Sequence, residues 1–155
     1  MYPRDDVATT FEYPDDHLLR LRDLIEEDQM HNPDMLDHDG EQCLTVIKNG
    51  NGTGATIGRA TGIFSFVRER FINGTHHTSM EWAILPYDSK SGAFSALGDS
   101  GSIIADGRGR IGGLLTGGAG KTESLDITYA TPFFWLLPRI KDNGFPSAHL
   151  YPAIA

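Results

Sequence analysis

Glycine is nearly absent from the first quarter of the chain and frequent in the rest, and this uneven distribution constrains the fold most strongly. Seventeen of the 18 glycines lie after residue 41 in a chain of 155 residues. From residue 43 onward, short apolar, β-branched or aromatic runs alternate with glycine-containing turns, which adopt positive φ angles at little cost. These runs predict strands at 43–48, 55–61, 63–69, 77–85, 102–106, 110–116 and 127–131.

The runs are not separated by helical patterns, so they predict an antiparallel sheet rather than a doubly wound one. We predict a mainly β fold, a single antiparallel Greek-key β-barrel of about six strands, formed by residues 43–155. A further glycine-rich turn is predicted at 117–120. Thr131 and Pro132 predict the start of a short C-terminal helix, which Pro138 should kink or end. Trp82 and Trp135 are predicted to pack in the core.

The first 42 residues are predicted to form an acidic arm with one short helix. Residues 1–41 contain 13 acidic residues against three arginines, whereas the remainder contains eight acidic and ten basic residues. Leu18, Leu21 and Ile25 lie at helical spacing and predict a helix over residues 15–29, ended by Asn32-Pro33. The arm is expected to be solvated or to dock on a basic partner. This charge balance argues against nucleic-acid binding.

Composition and motif spacing exclude several further classes. No apolar run approaches the length of a membrane-spanning helix, and the acidic start has no apolar core typical of a secretory signal peptide, which favours an intracellular location. Cys43 is the single cysteine, so no internal disulfide or cysteine-based zinc site can form. The acidic residues at 34–41 lack the spacing of a calcium loop, and Leu115 stands where a phosphate-binding loop needs glycine. The sequence therefore indicates no cofactor and no metal.

The most distinctive short motif is Gly98-Asp99-Ser100-Gly101-Ser102, directly before an apolar run. Flanking glycines allow a sharp bend that would expose the Ser100 hydroxyl, and the N–H groups of Gly98 and Ser100 could converge on one point. A hydroxyl beside two such donors is what an acyl-transfer site requires for its oxyanion. A simple β-turn with an Asp-Ser tip is the alternative interpretation of the same residues.

The order of the motifs along the chain resembles a known family. Val46-Ile47-Lys48-Asn49-Gly50 leads into residues 53–58 (TGATIG), and the serine motif follows about 40 residues later. Residues 111–115 (IGGLL) and 129–132 (YATP) then precede the predicted closing helix. From residue 44 to about 142, this order resembles the C-terminal barrel of trypsin-like (chymotrypsin-fold, PA clan) serine proteases, and it is most similar to fungal members that lack disulfides.

The resemblance implies a set of site residues and a polypeptide substrate. Ser100 would be the nucleophile of a serine endopeptidase, and the amides that flank Asp99, those of Gly98 and Ser100, would form the oxyanion hole.

The resemblance also implies where a substrate would bind. Thr116, Gly117 and Gly118 would lie along the substrate strand beside a specificity pocket. Phe94, six residues before Ser100, would lie near the base of that pocket, where it does not support a preference for Arg or Lys.

The chain departs from the family in one decisive respect, because the base His and its orienting Asp come from a first barrel that nothing before residue 44 resembles. None of the six histidines (His17, His31, His38, His76, His77 and His149) occupies the family position. His38, between Asp37 and Asp39, could be oriented as a base, although a flexible acidic loop is the simpler interpretation. We therefore expect a fragment or a degenerate relative with little or no activity alone.

The alternative hypothesis is a non-catalytic protein-binding module on a protease-like barrel. The face that would pack on the missing barrel would then bind a partner chain or a second copy of this one.

Overall fold

One antiparallel sheet dominates the computed structural model, which describes residues 18–37, 39–120 and 127–150. The elements of this described part are α1 (Glu27–His31), β1 (Leu44–Gly50), β2 (Gly54–Ala60), β3 (Phe64–Arg70), β4 (His76–Pro86), β5 (Ile103–Asp106), β6 (Ile111–Ala119), β7 (Ile127–Pro132) and α2 (Phe133–Asp142). The sheet order is β2-β1-β5-β6-β7-β4-β3, and β2 also pairs with β4. The predicted mainly β, antiparallel fold is confirmed.

The hydrophobic core combines side chains from the sheet with side chains from the segment that precedes it. Trp82, Phe94 and Ile104 are fully or almost fully buried, and Ile25 and Met30 join them from the N-terminal side. The prediction that Trp82 packs in the core is therefore confirmed.

The second tryptophan lies elsewhere, and its predicted core position is wrong. Trp135 is 45 % exposed, and the guanidinium carbon of Arg139 lies 3.5 Å from its ring centroid. A cation over the face of an indole is stabilising at the surface, so Arg139 stabilises the Trp135 ring although the ring is not buried.

The segment before α1 is extended, so the helix predicted over residues 15–29 is wrong for 18–26, and 15–17 lie outside the described residues. The N–H of Ile25 donates to the carbonyl of Ile111 at 3.0 Å, and the N–H of Ile111 donates to the carbonyl of Asp23 at 3.1 Å. Pairing with the start of β6 while burying Ile25 outweighs a weak helical preference. The helix forms only at α1, where Glu26 and Gln29 make a capping box, and Asn32 ends it as predicted.

Acidic residues of this segment pair with arginines of the sheet. Asp34 accepts hydrogen bonds from Arg108 at 2.6 Å and Arg110 at 2.7 Å, and these arginines hold the pKa of its carboxyl below the ordinary value, with the Arg110 hydrogen bond as the largest cause. Asp37 lies 3.4 Å from an Arg59 nitrogen. The expectation of a solvated arm therefore fails for this part of the chain, because its charges and apolar side chains contact the sheet.

The turn predicted at 117–120 is also wrong for its first three residues. Gly117, Gly118 and Ala119 belong to β6 and pair with Tyr129, Thr128 and Ile127 of β7. The register shifts between Leu115 and Gly117, so a bulge lets the strand continue through the glycines.

Helix α2 begins after Pro132 and continues through Pro138 to Asp142. Pro138 was predicted to kink or end the helix, and of these two outcomes an end at Pro138 is wrong. Thr131 belongs to β7 instead of capping the helix. No helix among the described residues is long and apolar enough to cross a membrane.

Candidate active site

Ser100 lies at the exposed tip of a turn that leads into β5. Glycines with positive φ angles lie on both sides of the tip, +99° at Gly98 and +84° at Gly101, a conformation that other residues rarely adopt. The N–H of Ser102 donates to the carbonyl of Asp99 at 3.0 Å and closes the turn. The backbone therefore holds the Ser100 hydroxyl outward rather than in the core.

The amides around Ser100 fall into two groups. Three of them have partners in the chain: the N–H of Asp99 donates to the carbonyl of Ala96, that of Gly101 to the carbonyl of Leu115, and that of Ser102 to the carbonyl of Asp99. The N–H groups of Gly98 and Ser100 donate to no backbone carbonyl and no side chain of the described residues. Within the described part of the chain, two donors next to the serine are thus left without an acceptor, and an oxyanion site requires such donors.

Asp99, next to Ser100, is fully buried and serves as the acceptor that organises the site. Its Oδ1 accepts hydrogen bonds from the amides of Gly52 at 2.7 Å and Thr53 at 3.1 Å. Its Oδ2 accepts from the Thr53 hydroxyl at 2.7 Å and from the amide of Ala96 at 3.0 Å. One carboxylate thus joins the serine turn to the β1–β2 turn.

The counter-ion of this carboxylate is Lys48 of β1. Its Nζ lies 3.0 Å from Oδ2 of Asp99, and both side chains are completely shielded from solvent. The ammonium also donates to the carbonyl of Gly54 at 3.0 Å and to the Thr53 hydroxyl, and it lies 5.9 Å from the ring centroid of Phe94. A buried ion pair with these additional hydrogen bonds is costly to break from either side.

The same contacts determine the pKa of Asp99. Burial alone would raise this pKa, but the hydrogen bonds outweigh burial and hold the pKa well below its ordinary range. The Ala96 amide contributes most to this lowering, followed by the Thr53 hydroxyl and the Lys48 ammonium. Asp99 is therefore ionised across the physiological pH range.

This lowered pKa predicts how stability depends on pH. A carboxyl whose pKa is lower in the folded state stabilises the fold above its unfolded pKa, near 3.8, and this contribution is lost as the pH falls toward the folded value. We expect the difference in unfolding free energy between wild type and Asp99→Asn to stay constant above about pH 5 and to narrow below about pH 4. Urea denaturation at a series of pH values measures it. A difference that widens on acidification would contradict the assignment.

Glycine is required where the β1–β2 turn contacts Asp99. A Cβ at Gly50 would lie 2.3 Å from Oδ1 of Asp99, and one at Gly52 would lie 2.6 Å from the carbonyl oxygen of Leu97. The last residue of β1 and the β1–β2 turn thus contact the serine turn so closely that a side chain at either glycine would displace it.

A pocket of about 300 Å³ opens beside Ser100. Its lining includes Ser95, Ala96, Ser100, Gly117, Gly118 and Thr128. At its buried side, the hydroxyls of Ser95 and Thr128 form a hydrogen bond of 2.6 Å. The structure thus brings together Ser100, Gly117 and Gly118 from the predicted site residues.

The other two predicted substrate-binding residues, Thr116 and Phe94, are not among the described residues that line this pocket. Thr116 is exposed, and its hydroxyl donates to the carbonyl of Tyr129 at 3.2 Å. Phe94 is 1 % exposed within the hydrophobic cluster, and a Cβ at Gly58 would lie 2.7 Å from its ring. Phe94 is not among the described residues that line the pocket.

Sequence reasoning missed three residues of this site: Lys48, Ser95 and Thr128. Lys48 belongs to the Lys-Asn-Gly motif, but nothing in that motif indicates a buried ion pair with Asp99. The pairing of Ser95 with Thr128 joins positions 33 residues apart, and no local pattern reports it.

No base is seen at the serine in the part of the chain that the structure describes. The Ser100 hydroxyl forms no hydrogen bond with residues 18–37, 39–120 or 127–150. The ring of His31 lies against that of Phe64, with centroids 4.5 Å apart. His17 and His38 lie outside the described residues.

The described residues also bear on metal binding and on thiol chemistry. No group of three His, Cys, Asp or Glu side chains there could hold a metal ion. Cys43 is buried, and burial raises the pKa of its thiol to about 11, so its thiolate is scarce at neutral pH.

Comparison with known proteins adds no assignment. The chain matches no protein-family model, and no curated protein is similar enough to indicate a relative.

Proposed function

We propose that this chain is a serine-protease-like domain that supplies the nucleophile and the oxyanion hole for acyl transfer but not the general base. The observation that carries the proposal is the exposed Ser100 hydroxyl on a turn fixed by the buried Asp99–Lys48 pair, beside the amides of Gly98 and Ser100, which donate to no described residue. Ser100 Oγ would attack a carbonyl carbon, and the amides of Gly98 and Ser100 would stabilise the negative oxygen.

The free side of β6 supports a peptide as substrate. β5 pairs with β6 only as far as Leu114, whereas β6 continues to Ala119. Beyond Leu115, among the described strands, β6 pairs only with β7, so backbone groups of Thr116–Ala119 are available to an added strand. An extended peptide bound there would run past Ser100 and gain main-chain hydrogen bonds.

The finer fold that accompanies this function is a closed Greek-key barrel of the chymotrypsin type. The pairing of Gly58 with Pro86 and of Arg59 with Leu85 supports it, because this pairing links β2 to β4. Each of the six strands other than β3 then has a neighbour on both sides.

A serine at its ordinary pKa is a weak nucleophile, so the chain alone would have little activity. The base would come from the first barrel of a longer protease or from a partner chain. A degenerate relative would have no base at all. Only the base is absent in this proposal, so an added base should restore the chemistry.

Imidazole is therefore expected to accelerate the reaction of Ser100 with a fluorophosphonate probe. The serine oxygen forms a bond to phosphorus, fluoride leaves, and imidazole takes the proton. We expect a rate increase of about tenfold or more with added imidazole, below the 10²–10⁴ that a positioned base supplies. In-gel fluorescence measures the rate, and mass spectrometry of the labelled peptide identifies the serine.

The matched controls are Ser100→Ala, which should lose the labelling, and Ser102→Ala, which should keep it. Absence of imidazole-dependent labelling at Ser100 would overturn the proposal.

The alternative, a non-catalytic binding module, is favoured by the exposed apolar residues of the β3–β4 hairpin. Phe66 is 80 % exposed and pairs across the strands with Met80, which is 47 % exposed, and Ile72 at the tip is fully exposed. β3 also ends the sheet order, so one side of it is open to a partner chain or a second copy. Concentration-dependent sedimentation of the chain and of Phe66→Lys tests this function.

A further inference from the structure

The β3–β4 hairpin extends one face of the core beyond the body of the protein. Phe64 and Trp82 pair across the two strands, and Trp82 is completely buried. Two positions further along the same face, Phe66 pairs with Met80, yet 80 % of Phe66 and 47 % of Met80 are exposed. Side chains two residues apart in a strand share a face. The apolar face that begins at Trp82 is therefore left largely uncovered by the described residues.

Positive charge follows the apolar pair on this face. Arg68 and Arg70 are exposed and lie two and four residues after Phe66. Neither guanidinium forms an ion pair or a hydrogen bond with a described residue. The acidic residues of the two strands, Glu69 and Glu81, lie on the opposite face. The uncovered face is thus locally cationic in a chain whose net charge is −8.

The edge of β3 also has unused backbone groups. The N–H of Ala83 donates to the carbonyl of Ile63 at 3.1 Å, so in this antiparallel register the odd-numbered residues of β3 direct their backbone groups toward β4. The N–H and C=O groups of the even-numbered residues at 66–70 point away from β4. Since β3 is the last strand in the sheet order, no described strand pairs with those groups.

The β5–β6 hairpin shows how this sheet binds an acidic extended segment. There the N–H of Ile25 donates to the carbonyl of Ile111 at 3.0 Å, and the Ile25 side chain is completely buried. Asp34 of the same segment pairs with Arg108 and Arg110. Backbone pairing, an apolar anchor and carboxylate–arginine pairs act together. The β3–β4 hairpin has the same three features with no described occupant.

We infer that the β3–β4 hairpin binds an extended acidic segment of a partner protein, which adds as an antiparallel strand beside β3. An aromatic or aliphatic side chain of the partner packs on Phe66 and Met80, and two carboxylates meet Arg68 and Arg70. The inference rests on the alternative function, a binding module, and deepens it by naming the chemistry of the partner. It does not depend on acyl transfer.

The geometry also gives the order of the partner's side chains. An antiparallel strand meets Arg70 first, then Arg68 and then Phe66, so the partner reads acidic-x-acidic-x-aromatic from its N-terminal end. A peptide is favoured over an anionic membrane because a lipid surface offers no backbone to the open edge, and the net charge of −8 opposes adsorption to it.

The probe is the acetylated and amidated peptide TDTETFT, which fits this order. ¹H–¹⁵N NMR titration of the full chain measures its binding, and amide shifts should be concentrated at 64–70 and 76–82. TNTQTFT keeps the shape but removes both charges, and we expect it to bind about three- to twentyfold more weakly, the range that two exposed ion pairs supply. Added sodium chloride should reduce this difference.

N-methylated peptides separate strand addition from simple charge attraction. The second, fourth and sixth residues of the probe would donate their N–H groups to β3, whereas those of the third and fifth would point outward. Methylation of the first set should abolish the shifts. Methylation of the second set should leave the affinity within about threefold, since it removes no hydrogen bond to the protein.

Surface variants locate the site without threatening the fold. Arg68→Gln and Arg70→Gln should each weaken binding of TDTETFT by about two- to fivefold and leave that of TNTQTFT nearly unchanged. Phe66→Ser should weaken both peptides. Lys141→Gln is the matched control, because Lys141 is exposed on α2, and it should affect neither peptide. Circular dichroism verifies that each variant is folded.

The inference is overturned by absence of shifts with TDTETFT, by equal binding of TNTQTFT, or by binding that tolerates methylation of the second, fourth and sixth residues. Adsorption to phosphatidylserine vesicles without peptide binding would also overturn it. Self-association through Phe66 without peptide binding would reject this partner but retain the binding module. Ser100→Ala should bind TDTETFT as the wild type does, so failure of the imidazole experiment would reject acyl transfer alone.

Discussion

Replacing Lys48 with Met is expected to lower the free energy of unfolding by about 3–5 kcal/mol, the cost of leaving one member of a buried ion pair without its partner. Methionine keeps most of the apolar volume of the lysine stem, so the loss comes chiefly from the charge. Asp99 would remain fully buried, with hydrogen bonds from Thr53 and Ala96 but no cation. Urea denaturation at pH 7, followed by tryptophan fluorescence, measures the change.

The matched control is Lys90→Met. Lys90 is an exposed lysine, and its ammonium forms no ion pair with a described residue. Its replacement should change stability by no more than about 0.5 kcal/mol. A Lys48→Met protein as stable as Lys90→Met would show that the Asp99 carboxylate is satisfied by its backbone and hydroxyl donors alone.

The ion pair also connects stability to the proposed chemistry. The side chains of Lys48 and Asp99 are completely shielded from solvent, so they would act on the Ser100 hydroxyl only by positioning the turn that contains it. In a Lys48→Met protein whose circular dichroism spectrum matches that of the wild type, imidazole-dependent labelling of Ser100 should decrease. That pattern would separate loss of a positioned turn from general unfolding.

The sheet could be predicted from the sequence because its signals are local. Seven short runs alternate with glycine turns, and each run became a strand of the structure within about three residues at either end. The exposed Ser100 was also predictable, because Gly98 and Gly101 provide the positive φ angles on both sides of it.

The secondary-structure predictions were wrong where contacts between residues distant in the sequence outweigh the local conformational preference. The predicted apolar helix face fails because Ile25 is buried against the sheet, while Leu18 and Leu21 remain 66 % and 45 % exposed. The glycines at 117 and 118 form a strand because β7 supplies hydrogen-bonding partners across the sheet.

The same limit applies to the site. Asp99 and Lys48 are separated by 51 positions, and only the folded β1–β2 turn brings them together. The hydroxyls of Ser95 and Thr128 are likewise distant in the sequence and form their hydrogen bond only in the folded chain. Sequence patterns predicted the exposed serine turn, but they could not identify the groups that position this turn or the groups that line the adjacent pocket.

Replacing Ile25 with Ala should destabilise the protein by about 2–5 kcal/mol, because Ile25 is completely buried and its loss leaves a cavity. The side chain packs beside Trp82, and a Cβ at Gly112 would lie 2.5 Å from the Trp82 ring and 3.2 Å from Cδ1 of Ile25. The sheet cannot close this gap easily, since the backbone of Ile25 is held by Ile111. Urea denaturation followed by circular dichroism measures the loss.

The control is Leu21→Ala in the same acidic segment, where the side chain is 45 % exposed and its truncation should cost less than about 1 kcal/mol. The pair of variants distinguishes a segment that belongs to the core from one that only touches it. Equal, small effects would mean that residues 20–36 detach readily and that the sheet is stable without them. A large effect confined to Ile25 would mean that any shortened form of this protein must keep that segment to retain the stability of the sheet.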